Sequence, residues 1–535
     1  MATVLVLTAE TQLYDSNFVS LWEGAALLAG DHPYRDFYEW GAPLGAYASA
    51  GMQVLVGYRL IGEFLLQWTC IVLGVVIAFR LGQRLCPSVF PLAIMLVITA
   101  IILAFTPTYH YSKLFFLPLL VWLSWSYIER PEARRSAIFG AATAVAFLFR
   151  HDYGVYAGSA FLLALALARL AERESRRLRS VAGDVAAYGI ACGLLVLSWA
   201  AVVQANEGLL DFVRMRGTLF QREHQSGFFY MVLAQVNPVA TVSAWLASGE
   251  APREATNQSA IWIQQMALLV PLLLLGSAAL TVRRARYRLE AVPVDTWLIA
   301  SAATFLILVD SFLLREAPYV VTVAPMTAAL SARFLAARQP VLRICAAAVV
   351  ALTATAAVMW TRDLPLYRPS EVLASFPGAV DQLFASPPVS ATAPLDGNPA
   401  LSLQYLHDCT APGDRVLVTG STPFQVPYYA RRPVAGGHLY WHHGWRADAA
   451  HEQQLLSLLE RQSVPFAFST TDPILDYLKR YPRIREHLSA NYVELEGSGG
   501  RLLIDSRRQA TGTYGAGRFP CFAGGDRAGA ISSGP

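Results

Sequence analysis

Charge is scarce in this chain. Of its 535 residues only 15% are Asp, Glu, Lys or Arg, while 55% are hydrophobic, and the mean hydropathy is +0.39. A soluble chain of this length rarely shows such values, and disorder needs the opposite balance, so composition points to an integral membrane protein. Lysine is almost missing: Lys113 and Lys479 stand among 42 basic residues, and the rest are arginine. The net charge is only +4, and no nucleic-acid partner is expected. Of the six cysteines, Cys70, Cys86, Cys192 and Cys345 fall in apolar segments or at their ends. That leaves Cys409 and Cys521, for which a disulfide stays open. Neither His110 nor His151 has metal-ligand spacing with another His, Cys or acid on one helix face, so no metal is assigned. No G-x-G-x-x-G follows a strand, which removes the usual support for a nucleotide.

What the chain has instead is a succession of apolar runs. Crossing about 30 Å of hydrocarbon takes about 17 to 25 residues. Runs of that length can be placed at residues 58–83, 88–106, 112–128, 134–150, 153–170, 182–204, 259–282, 295–313, 317–336 and 341–360. The opening Met1 to Leu7 is apolar but too short to span, and reads as the outer end of a further span that begins before this chain. The expected fold is therefore a polytopic α-helical membrane protein with about 10–11 transmembrane helices.

Arginines set the orientation, because short loops rich in them stay cytoplasmic. Arg80 and Arg84, Arg130 to Arg135, Arg169 to Arg179, Arg283 to Arg288, and Arg333 to Arg343 mark every second boundary. The remaining boundaries, including a first external loop at 10–57 and everything after Trp360, are then extracytoplasmic. Within that loop, Phe18 to Ala29 and Pro43 to Gly57 read as two juxtamembrane helices. Phe18, Leu21, Trp22, Ala25, Leu28 and Ala29 recur at helical spacing and predict an apolar face lying in the membrane interface. Residues 1–360 form the membrane domain, 361–399 a Pro- and Ser-rich linker and 400–506 an extracytoplasmic α/β domain. In the last, Arg415 to Gly420 and Pro465 to Ser469 read as buried strands and His451 to Gln462 as a helix. Residues 507–535, rich in Gly, are expected to be disordered.

Asp15 heads the first juxtamembrane helix. It can serve as an N-cap, or as a base held at the membrane surface. Around it the external boundaries carry Asp36 and Glu39, then His110, Tyr111 and Lys113, then Arg150, His151 and Asp152. Lys113 can either meet a lipid phosphate or lift its charge out of the bilayer. Arg150 suits phosphate oxygens through its fork of donors, and can also pair with Asp152. Asp36 reads equally as part of a solvated turn, paired with Arg35 or Arg59. Arg214, Arg216 and Arg222 could add phosphate contacts or form a solvated face. An aromatic loop with His438, His442 and His443 suits packing on the membrane domain better than metal.

This order of features resembles the GT-C superfamily of glycosyltransferases, including the protein mannosyltransferases and lipid A aminoarabinose transferases. The resemblance runs over residues 10 to 360. It implies a polyprenyl-phosphate sugar as donor, an acceptor that is a glycan, lipid or protein, Asp15 as catalytic base, and Lys113 and Arg150 on the donor phosphate. Asp36, Glu39, His110, Tyr111, His151 and Asp152 are then candidates for substrate contact. Ser16 stands where the family often has a second acid, and Lys113 where relatives tend to have Asp, which weakens a carboxylate metal site. A divalent cation stays open, and no other cofactor is expected. The localisation implied is a bacterial inner membrane with an extracytoplasmic active site. The competing class is a transporter or lipid-linked-sugar flippase. Transporters place ionisable groups at mid-membrane and show internal repeats; here the span centres hold none, and no repeat relates the halves.

Overall fold

The computed structural model describes residues 15–39, 41–86, 89–90, 92–93, 111–171, 178–225, 272–285, 289, 292–313, 326, 329, 369–384, 398–420, 423–439, 441, 445–515 and 517–523. The protein is mostly helical, with a small sheet region at its C-terminal end. Helices α1 (Asp15–Leu28) and α2 (Pro43–Val56) precede α3 (Leu60–Leu85), α4 (Lys113–Glu129), α5 (Ala133–Phe149), α6 (His151–Ala171), α7 (Leu178–Asn206), α8 (Leu209–Gln225) and α9 (Val294–Leu313). Both helices expected in the first loop are present, within a few residues of the predicted limits.

Two of the described helices are long and apolar enough to cross a membrane, α3 and the 181–206 part of α7. Residues 294–309 make a shorter apolar helix. Helices α4, α5 and α6 also occupy expected spans, whereas the runs at 88–106, 317–336 and 341–360 lie almost wholly outside the described residues. On α7 the apolar side chains Ile190, Leu194 and Leu197 are all more than 60% exposed. A surface of that kind is stable in hydrocarbon but costly in water.

Small residues let the helices cross closely. A Cβ at Gly74 would meet the carbonyl oxygen of Leu114, and one at Gly140 that of Tyr188, so α3 packs on α4 and α5 on α7 backbone to backbone. At the other end of these helices, Arg84 joins three elements. It pairs with Glu129 of α4, lies 3.4 Å from Asp295 of α9, and sits 4.5 Å over the Trp125 ring.

Helix α10 (Pro369–Phe384) falls within the stretch read as a linker. The C-terminal region adds α11 (Leu403–Asp408), β1 (Val416–Thr419), α12 (Val426–Ala430), α13 (Ala449–Arg461), β2 (Phe466–Ser469), α14 (Ile474–Tyr477), α15 (Pro482–Asn491), β3 (Tyr492–Glu494) and β4 (Leu502–Asp505). The sheet order is β1-β2-β4-β3, with β1 and β2 parallel and the other pairs antiparallel. Both expected strands and the expected helix are there. Side chains alternate across the strands. Val416, Val418, Phe466, Phe468, Leu502 and Ile504 face one core with α11, α12 and α1, and Leu417, Ala467 and Leu503 face another under α13 to α15.

Two expectations need correction. Residues 507–523 are not disordered: β5 (Gly512–Tyr514) and β6 (Phe519–Cys521) form a hairpin. A Cys409–Cys521 disulfide ties that hairpin to the end of α11, so two covalent and hydrogen-bonded anchors replace the apolar mass that the segment lacks. Residues 524–535 lie outside the described residues. The apolar face of α1 is also not a free interfacial surface. Phe18 packs edge-on against Tyr428 at 5.8 Å, and Leu21 and Trp22 are buried in the core shared with the C-terminal region.

The C-terminal region is fastened to the first loop at two points and to the turn between α7 and α8 at a third. Tyr38 N–H donates to the Gly437 carbonyl at 3.0 Å, Arg415 reaches Asp31 at 2.8 Å, and Arg446 pairs with Glu207 at 2.5 Å. The Arg446 and Glu207 side chains are only 2% and 3% exposed. Removing one member strands the other charge in a low dielectric, which costs about 3–5 kcal/mol. Glu207→Ala should therefore lower the thermal unfolding temperature of detergent-solubilised protein by several degrees and speed proteolytic release of the C-terminal region. Adding Arg446→Met should recover part of the loss, and two additive losses in the double variant would show that the pair is not coupled.

Candidate functional site

The first turn of α1 is anchored from below. Asn17 is 1% exposed and hydrogen-bonds Glu63 of α3, which also takes the Ser49 hydroxyl from α2. Gln53 ties the same corner together, donating to the Leu21 carbonyl at 2.8 Å and to Ser49 Oγ at 3.2 Å. A Cβ at Gly24 would strike Gln53 and the Ala50 backbone, so α1 can lie on α2 only with glycine there. Asp15 opens this helix; its side chain lies outside the described residues, as does all of His110.

From Glu63 a polar strip runs across the ends of the helices. Tyr111 is buried within electrostatic reach of Glu63 and Tyr153. Ser112 Oγ and the Tyr153 hydroxyl are 3.2 Å apart, and the Lys113 ammonium stands 5.8 Å from the Tyr153 ring centroid. Lys113 is 1% exposed, unusual for lysine unless other groups hold its charge. Asp152 attracts that charge and Arg150 repels it. Between those two, Arg150 Nε meets Asp152 Oδ1 at 2.8 Å, so the turn between α5 and α6 holds its guanidinium in a fixed direction.

His151 continues the strip. Its backbone N–H donates to the Gly41 carbonyl at 3.0 Å, and its ring stacks on Phe147 at 4.5 Å with Trp199 at 5.0 Å and Phe212 at 5.5 Å. Gly41 has φ +91°, and a Cβ there would sit 2.9 Å from His151 Nδ1 and 3.3 Å from the Arg216 guanidinium. The loop can approach this histidine and arginine only because residue 41 lacks a side chain. Arg216 of α8 donates to the Glu39 carbonyl oxygen at 2.7 Å and lies 5.1 Å over the Phe212 ring.

Glu39 itself is fully buried. Its carboxyl group takes the Tyr34 hydroxyl at 3.1 Å and the backbone N–H of Ala42. Tyr34, held at φ +68°, in turn accepts from Trp199 Nε1 at 2.8 Å. Burial raises the Glu39 pKa above 4.5, and the Arg216 charge and the hydrogen bonds only partly offset it. Burial likewise draws Arg216 down, against the pull of Glu39. On the C-terminal side, burial pushes Tyr38 up to about 12, while Arg446, 3.7 Å over its ring, acts the other way.

Of the residues proposed from sequence, Tyr111, Lys113, Arg150, His151, Asp152 and Glu39 thus fall on one strip. Asp36 does not. It closes a surface turn, taking Arg35 at 2.6 Å and the His32 N–H at 2.9 Å, and although burial opposes it, those bonds hold its carboxyl below the ordinary value. Asn17, Glu63, Tyr34 and Tyr153 were missed. Glu63 had a signal, an acid three residues into an apolar helix; the others had none, since an Asn or Tyr beside a membrane segment is unremarkable. Among the described residues no three His, Cys, Asp or Glu side chains come together in a metal-binding group. His438 lies within the aromatic packing of Trp441 and Trp445, while His442 and His443 are outside the described residues.

Chemically, Arg150 and Arg216 supply two guanidinium groups and Lys113 a third basic group beside Glu39 and Asp152, a set of donors suited to a phosphate. The raised Glu39 pKa also has a measurable consequence. The folded state holds that proton to higher pH than the unfolded chain, so Glu39 contributes stability that is lost as pH rises above 4.5. Glu39→Gln keeps one oxygen to accept from the Ala42 N–H and turns the contact with Tyr34 around, the amide N–H donating to the Tyr34 hydroxyl oxygen, without the charge. It should unfold at higher temperature than the parent at pH 8 and lose that advantage toward pH 4.5, as read by thermal unfolding in detergent.

No family model matches the chain, and no curated protein matches it.

Proposed function

We propose that this protein is a polytopic membrane glycosyltransferase of the GT-C kind, moving a sugar from a polyprenyl-phosphate donor to an acceptor with inversion. The single observation that carries the reading is the convergence of Lys113, Arg150 and Arg216 on one strip beside the helix headed by Asp15. The arginine-rich boundaries favour a bacterial inner membrane with this strip and the C-terminal region on the extracytoplasmic side.

In this reaction an acceptor hydroxyl oxygen attacks the anomeric carbon. Asp15 takes the hydroxyl proton as the new C–O bond forms. The bond from the anomeric carbon to the phosphate oxygen breaks, and its electron pair leaves with polyprenyl phosphate. Arg150, aimed by Asp152, and Lys113 stabilise the charge that grows on that oxygen, with Arg216 next along the strip. The rings around His151 wall off water on one side. Glu63 and Asn17 act as positioning residues for the first turn of α1. A divalent ion is not required by this scheme, because cations already face the leaving group.

The decisive experiment is transfer from a panel of radiolabelled polyprenyl-phosphate sugars by membranes holding the parent protein, Asp15→Asn or Arg150→Gln at matched expression. The parent should transfer from one donor class. Asp15→Asn should reduce the rate about a hundredfold or more, with a comparable loss for Arg150→Gln. Equal transfer by parent and Asp15→Asn would remove Asp15 as base, and no transfer from any donor by the parent would favour a transporter.

A further inference from the structure

A cavity of about 490 Å³ lies at the seam between α1, the turn before α3 and the C-terminal region, and it shares no lining residue with the strip described above. Its size is that of a small-molecule site. The floor is apolar, made by Trp22, Ala25 and Ala26 of α1 with Pro427 and Pro433 opposite. Three arginines, Arg59, Arg431 and Arg432, line it, and no Asp or Glu does. The lining therefore carries a formal charge of +3.

The arginines are held in different ways. Arg432 is 6% exposed and donates to Thr410 Oγ1 and to the carbonyls of His407 and Thr410 at 2.6 Å. It is a fixed positive charge behind the wall. Arg431 sits at the C-terminal end of α12 with φ +49°, a left-handed conformation that favours glycine. A long basic side chain at such a position points to a role for the side chain itself. Arg59 immediately precedes α3, one of the two helices able to cross a membrane.

Two exposed apolar side chains precede part of the lining in the chain. Val54 and Leu55, 70% and 76% exposed, end α2 just before Gly57, Tyr58 and Arg59 of the lining. Exposed apolar side chains a few residues before a lining with two exposed arginines, Arg59 and Arg431, backed by the buried Arg432, suit an amphiphile in which an acyl chain is joined to a phosphodiester. Guanidinium pairs with phosphate oxygens through two parallel bonds, and basic residues next to a membrane segment attract anionic headgroups.

We infer that this seam is a binding site for the headgroup of an anionic phospholipid, which bridges α1, the start of α3 and the C-terminal region. The claim is independent of sugar transfer. It makes the lipid a support for the seated C-terminal region rather than a substrate.

The full-length protein in phosphatidylcholine nanodiscs is titrated with phosphatidylglycerol, with polyprenyl phosphate and with inorganic phosphate, and binding is read by native mass spectrometry and by the shift in thermal unfolding. Arg59→Gln combined with Arg431→Gly is the test variant, since glycine suits the left-handed position and preserves the fold. Arg485→Gln, an exposed arginine elsewhere, is the charge control. The parent and the control should bind phosphatidylglycerol and be stabilised by it, and the double variant should bind about tenfold more weakly. Equal binding by parent and double variant overturns the site. Preference for polyprenyl phosphate, or equal binding of inorganic phosphate, overturns the phospholipid as occupant.

Discussion

The arrangement depends on how charge is buried where the first loop, the ends of α6 to α8 and the C-terminal region meet. Glu39, Glu207 and Arg446 are removed from water there and Arg216 is half-buried beside them, and in such a place each ion must find an opposite charge or a set of dipoles. Glu207 answers Arg446, while the Glu39 carboxyl is met by Tyr34 and a backbone N–H and its carbonyl by Arg216. Because ionic and hydrogen-bond geometry tolerates little slippage, these contacts fix the loop against both regions. The glycines at 41 and 437 let the backbones come close enough to make them.

That constraint determines what α1 can be. A helix with Phe18, Leu21 and Trp22 on one face would seek the membrane interface if left alone. With the C-terminal sheet held over it, the same face finds Tyr428 and the strand side chains instead. Its first turn is then gripped by Asn17 and Glu63 from the other side. From Asn17 onward the helix is thereby held by contacts with α2, α3 and the C-terminal region.

The strip from Tyr111 to Glu39 is assembled from segments far apart in sequence, with Tyr111 to Lys113 and Arg150 to Asp152 delivered at helix ends, Arg216 from within α8 and Glu39 from a loop. Helix ends carry unsatisfied backbone groups, so polar side chains collect there. The Arg150–Asp152 pair shows that the structural and chemical readings of a residue need not compete, since an acid that tidies a turn also aims the guanidinium. Asp36 went the other way: beside Arg35 in a surface turn, it has no route to the strip.

The apolar runs, the two helices of the first loop, the strands at 416–419 and 466–469 and the helix between them were legible because burial imposes a period that the sequence must keep. Lys113, Arg150 and Glu39 could also be named as site candidates, since charged residues stand out against so apolar a chain. The sequence could not say that the face of α1 would be covered, that residues 507–523 would be pinned by a hairpin and a disulfide, or that Glu63 would reach Asn17. Each of those depends on a partner tens to hundreds of residues away. Periodicity tells a side chain to leave water, but only the tertiary structure decides what it meets when it does.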